Sequence, residues 1–415
     1  MDLTVALDAR YALTPDGRVW SQAGMAQRFW ERYLAVFSQV HIVARAVRVE
    51  RVPAGWLPVN GEAIQFHPVP NYHGPWQYLM RYREVQTAIR SAVPSHGAVI
   101  LRVGSQIANC LEAYLRRRKH PYALEILGDP YEVFAAGVVD HPLRRIFRWY
   151  FTRKLQKQCL RASGVAYVTR DVLQKRYPAN LMSAVSDVDL PEDAVLGAGC
   201  THYSSIELDP SGIVQGVRRA RRAGGYQIVT VGSLAQLYKG TDVFITALAQ
   251  CVRGGLDVSA VVVGDGKYRR RLEELAAKLG MSSRVRFTGQ VTAGDPVRRI
   301  LDSSDLFVLP SRTEGLPRAL IEAMARALPC IGSAVGGIPE LLEPGEMVPA
   351  GDAMALAAKI RELLSDPDRM DRLSVRNRAV SLDYRDSVLA ERRRAFYQYV
   401  RDYTKAWEMK RPKGR

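Results

Sequence analysis

Two glutamates, Glu314 and Glu322, stand eight positions apart in a stretch that could bind a phosphate together with sugar hydroxyls. Pro317 lies between them and suits the first position of a helix, where its missing N–H costs nothing. The start of a helix presents free N–H groups and the positive end of a dipole, so it attracts anions. Carboxylates only accept hydrogen bonds, which suits both glutamates to hold hydroxyls beside that anion. For two isolated glutamates, however, a solvated loop charge and a helix-surface partner would be the better interpretation.

The elements around the glutamates place them at the edge of a sheet. The apolar run at 305–310 predicts a buried strand, and a polar loop follows it. An apolar face then predicts a helix that begins at Pro317 and is stopped by Pro329. A second short strand, Cys330–Gly332, leads into a GGIPEL run at 336–341 that is flexible enough to lie close to a ligand.

This pattern resembles the C-terminal half of the group 1 retaining glycosyltransferases (family four), which have the two-domain GT-B fold. The family signature is a glutamate, a small or glycine-containing loop, seven intervening residues and a second glutamate followed by Ala-Met or Ala-Leu. The segment 314–324, EGLPRALIEAM, is similar to it, and GGIPEL belongs to the same signature. The resemblance implies that Glu322 holds the ribose hydroxyls of a nucleotide-sugar donor. It also implies that Glu314, with the backbone near Gly315 and Leu316, holds the sugar hydroxyls.

A basic group for the donor diphosphate is expected earlier in the chain. The predicted strand Tyr226–Val231 precedes Gly232 and Ser233, and Lys239 follows a few residues on. In the family these places carry Gly-Arg-Leu and Lys-Gly, and the basic pair grips the diphosphate, so the resemblance gives Lys239 that role rather than the role of a surface lysine. Ser233 stands where the family has arginine, so one charge is missing, although its hydroxyl can still donate a hydrogen bond. We hypothesise that Arg318 supplies the missing charge.

Two glycines complete the predicted nucleotide site. The strand Val258–Val263 ends in Gly264 and Gly266, which the resemblance assigns to the nucleotide loop. As a glycine motif alone this would be weak, and it lacks the spacing of a nicotinamide fingerprint. The next predicted strand, Val285–Gly289, lies where relatives hold the nucleobase. The resemblance is continuous over 229–342, whereas in the N-terminal half it is one of layout only.

The N-terminal half alternates short apolar runs with helical patterns, such as those at 23–37 and 78–93, which predicts a parallel sheet covered by helices on both faces. Its predicted strands are Thr4–Asp8, His41–Ala44, Ala63–His67, Ala98–Val103, Tyr122–Leu127 and Val165–Thr169.

Ligands of parallel sheets bind in loops at the carboxyl ends of the strands, and two such loops stand out. Gly24 ends the loop from Thr14, which in the family closes over the donor phosphates; an ordinary helix entry is the alternative. Asp129 follows a strand and could bind or deprotonate the acceptor hydroxyl, but Asp-Pro is also a common turn starter. The family's histidine near this position is missing here, which leaves the catalytic base unassigned.

Composition and charge limit the kinds of molecule that this chain is expected to bind. The 415 residues are 47% apolar and 24% charged, as in ordinary globular proteins, with no apolar run long enough to span a membrane. Five widely spaced cysteines suit a reduced cytosol and show no metal pattern. Residues 1–185 hold 25 Lys and Arg against 13 Asp and Glu, most of the net charge of +17. This half should therefore meet an anionic partner: a lipid surface, a phosphate-bearing acceptor or nucleic acid.

Residues 142–161 form the most basic stretch, with seven Lys and Arg and no acid. Helical spacing gives it an apolar stripe, made of Leu143, Ile146, Phe147, Tyr150, Phe151 and Leu155. Such a helix can lie on an anionic membrane. Because the stripe must also serve the domain core, we favour a helix packed on the N-terminal sheet, whose solvated basic face can still contact lipid phosphates.

The alternation of strands and helices predicts the α/β fold class, and the resemblance implies a GT-B fold of two Rossmann-like doubly wound domains facing across a cleft. The predicted parts are an acceptor-side domain at 1–190, a connection at 191–225, a nucleotide-sugar-binding domain at 226–385, a helix at 386–403 packed back on the first domain, and a basic tail at 405–415.

The predicted function is that of a retaining hexosyltransferase that uses a nucleotide diphosphate-sugar and needs neither cofactor nor metal. The proposed catalytic residues are Glu314, Lys239 and Asp129. The expected acceptor is a saccharide or a lipid-linked precursor of a surface polysaccharide, which places the chain in the cytoplasm with peripheral contact to the inner face of the membrane. Two alternatives are a nucleotide-sugar epimerase of the same fold and a non-catalytic protein that binds nucleic acid or an anionic surface. No nucleic acid is expected, since no recognised binding module is visible.

Overall fold

The computed structural model describes residues 1–22, 24–52, 55–93, 96–135, 138–139, 141–181, 197–220 and 225–410. Residues 191–196 and 221–224 of the predicted connection lie outside these residues. The chain divides into two compact units. Unit 1 comprises residues 1–128, 151–203 and 390–415, and unit 2 comprises residues 129–150 and 204–389.

Unit 1 is built on a nine-stranded sheet. Its strands are β1 (Leu3–Leu13), β2 (Val19–Ser21), β3 (Val40–Arg48), β4 (Leu57–Pro58), β5 (Ile64–Pro70), β6 (Ala98–Val103), β7 (Ala123–Ile126), β8 (Gly164–Tyr167) and β9 (Cys200–His202). The parallel strands pair in the order β5-β3-β1-β6-β7-β8-β9, whose first six follow the 3-2-1-4-5-6 order of doubly wound folds. The helices of this half of the chain are α1 (Gln27–Leu34), α2 (Gly74–Met80), α3 (Tyr82–Ser91), α4 (Gln106–Arg117), α5 (Pro130–Val133), α6 (Arg144–Cys159) and α7 (Val172–Arg176).

Unit 2 repeats this layout with a six-stranded sheet. Its strands are β10 (Tyr226–Val231), β11 (Val258–Val263), β12 (Val285–Gly289), β13 (Leu306–Leu309), β14 (Cys330–Ser333) and β15 (Met347–Val348), all parallel and again in the order 3-2-1-4-5-6. Its helices are α8 (Thr241–Arg253), α9 (Arg269–Lys278), α10 (Asp295–Asp302), α11 (Arg318–Ala325), α12 (Ala353–Leu364) and α13 (Pro367–Ser381). The last helix, α14 (Asp386–Lys410), belongs to unit 1 from Ala390 onward.

All strands predicted from the sequence are present, which confirms the predicted parallel sheets, but some boundaries differ. The predicted loop from Thr14 to Gly24 contains strand β2, because β1 continues to Leu13 and closes a hairpin on Val19. The predicted tail from 405 is helical as far as Lys410. The reason is that Trp407 lies against the His120 ring, 4.8 Å between ring centroids. Residues 411–415 lie outside the described part of the chain.

The interior of unit 1 contains an ion pair between adjacent strands. Arg102 of β6 lies opposite Glu125 of β7, and their side chains, both almost wholly buried, approach to 2.7 Å. The hydroxyls of Tyr33, Tyr203 and Tyr397 donate to the Glu125 carboxylate at 3.0, 2.8 and 3.1 Å. Burial first, and the Glu125 charge second, raise the pKa of Tyr203 and Tyr397 well above its usual value, so both remain donors. Tyr397 lies on α14, so this network holds the last helix onto the sheet.

The basic helix α6 differs from the prediction. Its C-terminal part packs inward through Leu155, and Phe147 is half-buried beside Phe134, but other apolar side chains of its first two turns are exposed. Ile146 is 57% and Trp149 64% exposed, and Leu143 and Tyr150 are exposed as well. The prediction that the whole apolar stripe packs on the sheet is therefore wrong, because Leu143, Ile146 and Tyr150 of that stripe remain exposed. None of the described helices is long and apolar enough to cross a membrane.

Candidate functional site

The predicted site residues of unit 2 gather at the carboxyl ends of β10 and β13. These are neighbouring strands at the point where the strand order reverses, since β10 pairs with β11 on one side and with β13 on the other. The helices that follow two such strands turn to opposite faces of the sheet and leave a crevice between them. Doubly wound folds bind their ligands there.

Lys239 and Glu314 form an ion pair in this crevice. The Lys239 ammonium donates to both carboxylate oxygens of Glu314, at 2.7 and 3.0 Å. The side chains are 19% and 7% exposed, so the pair is largely shielded from water. An ammonium has three donors, and two are used on Glu314. Among the described residues nothing accepts the third N–H of Lys239, which is therefore available to an anion.

The backbone around Lys239 is shaped by a glycine. Lys239 ends a short 3-10 turn, Leu237–Lys239, and Gly240 follows in a left-handed conformation with φ of 70°. A Cβ added to Gly240 would lie 1.9 Å from the Pro310 carbonyl oxygen. The turn can therefore lie directly against the end of β13, which brings Lys239 to the loop that carries Glu314.

The loop that carries Glu314 is held by side chains that the sequence patterns did not predict. Ser311 donates to Glu314 at 2.6 Å, and Ser333 at the end of β14 donates to the Ser311 carbonyl. Arg312 forms a bidentate pair with Asp242 of α8 at 2.9 and 2.8 Å. These contacts orient the Glu314 carboxylate before any ligand arrives. Their one signal in the sequence is that each polar residue directly follows a buried strand or begins a helix.

Glu322 lies on α11, which starts at Arg318 with Pro317 as its N-cap and ends at Ala325. The predicted start at Pro317 and the predicted stop at Pro329 are thus off, because Ala327 adopts a left-handed conformation and ends the helix earlier. Glu322 is half-buried. Burial raises the pKa of its carboxyl, which Arg318 and Arg298 partly offset. Among the described residues this carboxylate has no hydrogen-bond or ion-pair partner, so it is available to hydroxyl donors.

The predicted glycine loop also lies in the crevice. Added Cβ atoms would lie 1.9 Å from the Gly232 carbonyl oxygen at Gly264 and 2.1 Å from the Ala235 amide nitrogen at Gly266. The loops after β10 and β11 thus touch through backbone, and the Leu234 N–H donates to the Asp265 carbonyl. Any side chain larger than hydrogen at Gly264 or Gly266 would push these two loops apart.

Gly336 brings the GGIPEL run against Glu314. Its φ is 52°, and an added Cβ would lie 1.9 Å from the Glu314 carbonyl oxygen. The Gly337 N–H also donates to the Gly315 carbonyl at 2.7 Å. The close approach that these glycines allow is therefore to the backbone at Glu314 and Gly315. The predicted approach of this run to a ligand stays a prediction.

We expect Gly336→Ala to displace Glu314 and to abolish nucleotide binding. Gly280→Ala is the matched control, because Gly280 also has positive φ but nothing within 4 Å of its added Cβ. Both variants carry the left-handed strain, whereas only Gly336→Ala carries the clash, so it should be less stable than the control by roughly 1–3 kcal/mol. Chemical denaturation and nucleotide titration measure the two effects. Equal behaviour of the two variants would contradict the assigned packing.

The remaining predicted residues are placed less decisively. Ser233 is exposed and its hydroxyl accepts from the Ala235 N–H, and Arg318 is exposed at the start of α11. Asp129 is buried and caps α5, where its carboxylate accepts the Tyr131 N–H at 2.9 Å. This contact fits the interpretation of Asp-Pro as a turn starter. Gly24 of unit 1 has φ of 71° with open space around it.

Comparison with known proteins gives a consistent result. Residues 225–366 match the family model described as Glycosyl transferases group 1. Protein CapJ of Staphylococcus aureus is 24% identical over 91% of this chain and 90% of its own length. The putative colanic acid biosynthesis glycosyltransferase WcaL of Salmonella typhimurium is 33% identical, over 39% of this chain and 42% of its own length.

The solved structures agree on the fold. HepE of Anabaena in complex with UDP superposes with a TM-score of 0.59 at 18% identity, covering 95% of this chain and 98% of its own. This likeness is to GT-B glycosyltransferases, which confirms the predicted fold class.

Proposed function

We propose that this chain, a GT-B glycosyltransferase whose residues 225–366 match the group 1 family model, transfers a sugar from a nucleotide diphosphate-sugar to a hydroxyl acceptor with retention of configuration. The observation that carries the proposal is the ion pair of Lys239 with Glu314 at the switch point of unit 2. It puts a cation for a departing diphosphate beside a carboxylate for the sugar.

The donor would bind along the crevice of unit 2. The diphosphate meets the Lys239 ammonium and the free N–H groups at the start of α11, with Arg318 as a further cation. Glu322 is half-buried, and its carboxylate has no hydrogen-bond or ion-pair partner within the described part of the chain, so it accepts hydrogen bonds from the ribose hydroxyls. Glu314 and the backbone of Gly315 and Leu316 hold the sugar hydroxyls. HepE, which was solved with UDP, supports a uridine nucleotide as the first candidate.

The chemical step develops negative charge on the leaving diphosphate and positive charge on the sugar. Donors held in place before the reaction stabilise such charge most effectively, because they need not reorganise. The Lys239 ammonium is held in this way by Glu314, which itself lies where its charge favours an oxocarbenium-like sugar. We propose that the lysine and the helix start supply the positive charge that a metal supplies elsewhere, so transfer should persist in EDTA.

We propose a lipid-linked saccharide of surface-polysaccharide assembly as the acceptor. The excess of basic residues in 1–185 and the exposed apolar side chains at the start of α6 support contact with an anionic membrane surface. Relatives such as WcaL, whose name assigns it to colanic acid biosynthesis, support the polysaccharide class. The protein would then work at the inner face of the membrane.

The test is donor turnover followed by NMR of the anomeric carbon. The wild-type protein is incubated with UDP-, GDP- and ADP-sugars in EDTA, with a membrane lipid extract as acceptor source. One donor should release its nucleoside diphosphate, and the product should keep the donor's anomeric configuration. An inverted product would overturn the retaining mechanism. Conversion of the donor sugar to its epimer, without transfer, would overturn the transferase proposal.

A further inference from the structure

Unit 1 has a cavity of about 910 Å³ at the carboxyl ends of β1, β3 and β5. The helices α2 and α3 form its other wall. Its lining consists of Leu13, Ala46, Val47, Arg48, Pro68, Val69, Pro70, Asn71, Gln77, Met80, Arg81 and Glu84. This volume lies within the range of pockets that hold small ligands, and parallel sheets bind ligands at this edge. None of the site residues described above lies in it.

The polar side chains of this cavity have unused hydrogen-bonding capacity. Arg48 is exposed and has no hydrogen-bond or ion-pair partner among the described residues, and Arg81 donates to the Asn71 carbonyl but meets no carboxylate there. The side-chain oxygen of Asn71 is buried and likewise accepts no hydrogen bond from the described residues. Glu84 adds an exposed carboxylate. Two guanidinium groups suit a phosphate, and the amide and carboxylate oxygens suit hydroxyls.

The rim of the cavity is apolar and uncovered. On α2, Trp76 is 80%, Leu79 59% and Met80 84% exposed, and Met80 also lines the cavity. Three neighbouring apolar side chains at these exposures mark a contact surface rather than scattered residues. Two further exposed arginines lie close in sequence but do not line the cavity, Arg83 in α3 and Arg51 three residues after Arg48. An apolar rim beside a cationic cavity is complementary to an anionic amphiphile.

We propose that this cavity binds the phosphate and first sugar of a lipid-linked acceptor. The phosphate lies on Arg48 and Arg81, the sugar hydroxyls reach Asn71 and Glu84, and the hydrocarbon chain passes over α2 into the membrane. This binding site rests on the proposed transferase function, because the molecule bound in the cavity would be the acceptor of that reaction. A soluble phosphosugar would use the arginines equally well but would leave Trp76 and Leu79 in water, which is why the lipid-borne source is chosen.

The test uses phosphatidylcholine vesicles that carry either a polyprenyl monophosphate or phosphatidylglycerol at equal surface charge. Binding of the full-length protein is measured by co-sedimentation. The wild type should prefer the polyprenyl phosphate vesicles. Arg48→Ala/Arg81→Ala should weaken that binding about tenfold or more, the effect of losing charge-assisted hydrogen bonds. The single variant Arg48→Ala should show part of the same loss, since Arg48 has no hydrogen-bond or ion-pair partner to lose among the residues that the structure describes.

Arg51→Ala/Arg83→Ala is the matched control, since it also removes two positive charges but from residues that do not line the cavity. It should reduce binding to both kinds of vesicle slightly and equally. If the two double variants behave alike, the arginines act only as diffuse charge and the cavity proposal is overturned. If glucose 1-phosphate displaces the wild type from vesicles at concentrations comparable to the lipid phosphate, the lipid-borne source is overturned.

Nucleotide titration of the same variants separates this inference from the proposed function. The cavity belongs to unit 1, so Arg48→Ala/Arg81→Ala should bind nucleotide as the wild type does. Loss of vesicle binding with nucleotide binding intact supports the cavity as a distinct site. A wild type that binds the polyprenyl phosphate but no nucleotide would refute the donor site and leave the lipid site standing.

Discussion

Lys239→Ala should lower kcat about 10²–10³-fold with the cognate donor, the usual effect of removing one preorganised donor to a developing negative charge. The residue lies at the crevice between β10 and β13 and is oriented by Glu314 at 2.7 Å. Its removal takes away the cation for the diphosphate and leaves the Glu314 carboxylate buried without its counter-charge. The measurement is nucleoside diphosphate release at saturating donor, since a change confined to KM would indicate ground-state binding alone.

Lys278→Ala is the control for that experiment. Lys278 is exposed at the end of α9 in the same unit, so its removal changes the net charge equally without touching the crevice. It should retain the wild-type kcat. Glu314→Gln should fall between the two variants, because the amide keeps a hydrogen bond to the substrate but no longer orients the ammonium. Full activity of Lys239→Ala would mean that another group stabilises the leaving diphosphate.

Glu125→Ala should be the most destabilising single change in unit 1. It leaves the Arg102 guanidinium buried without its counter-charge and three tyrosine hydroxyls without their common acceptor. Breaking a buried pair by removing one partner typically costs roughly 3–5 kcal/mol. For a unit of this size that corresponds to a fall in melting temperature of about 10 °C. Thermal unfolding followed by circular dichroism measures it.

Tyr397→Phe calibrates this result. It removes one of the three hydroxyls and should cost about 1 kcal/mol, the usual value for a single hydrogen bond. Because Tyr397 lies on α14, it also reports whether the last helix is held by this network. If Glu125→Ala melts with the wild type, the ion pair is not what stabilises the interior of unit 1.

The sequence predicted the sheets well because buried parallel strands are continuous apolar runs. The run Val258–Val263, for example, appears in the structure with the same bounds. The short antiparallel pairing of β2 with β4 was missed, since three-residue and two-residue strands carry no periodicity. The predicted GT-B fold was implied by the resemblance of the segment with Glu314, Glu322 and GGIPEL to a known family, and not by composition or spacing.

The chemistry was predicted residue by residue, but not its geometry. Lys239 and Glu314 are 75 positions apart, so their direct pairing depends on the strand order, which local patterns do not contain. Ser311 and Arg312 were missed for the same reason: their partners, Ser333 and Asp242, are distant in sequence. The exposure of Ile146 was also unpredictable, because helical spacing defines an apolar stripe but not what covers it.

The central claim is that unit 2 binds a nucleotide through Glu322 and Lys239, and calorimetric titration with UDP, GDP, ADP and CMP tests it most directly. One nucleotide should bind the wild type, and Glu322→Ala should weaken that binding about tenfold or more, since ribose hydroxyls lose a charged acceptor. Glu274→Ala, at an exposed glutamate of α9, should bind as the wild type does. Binding of none of the four nucleotides, or equal binding by Glu322→Ala, would contradict the proposed donor site.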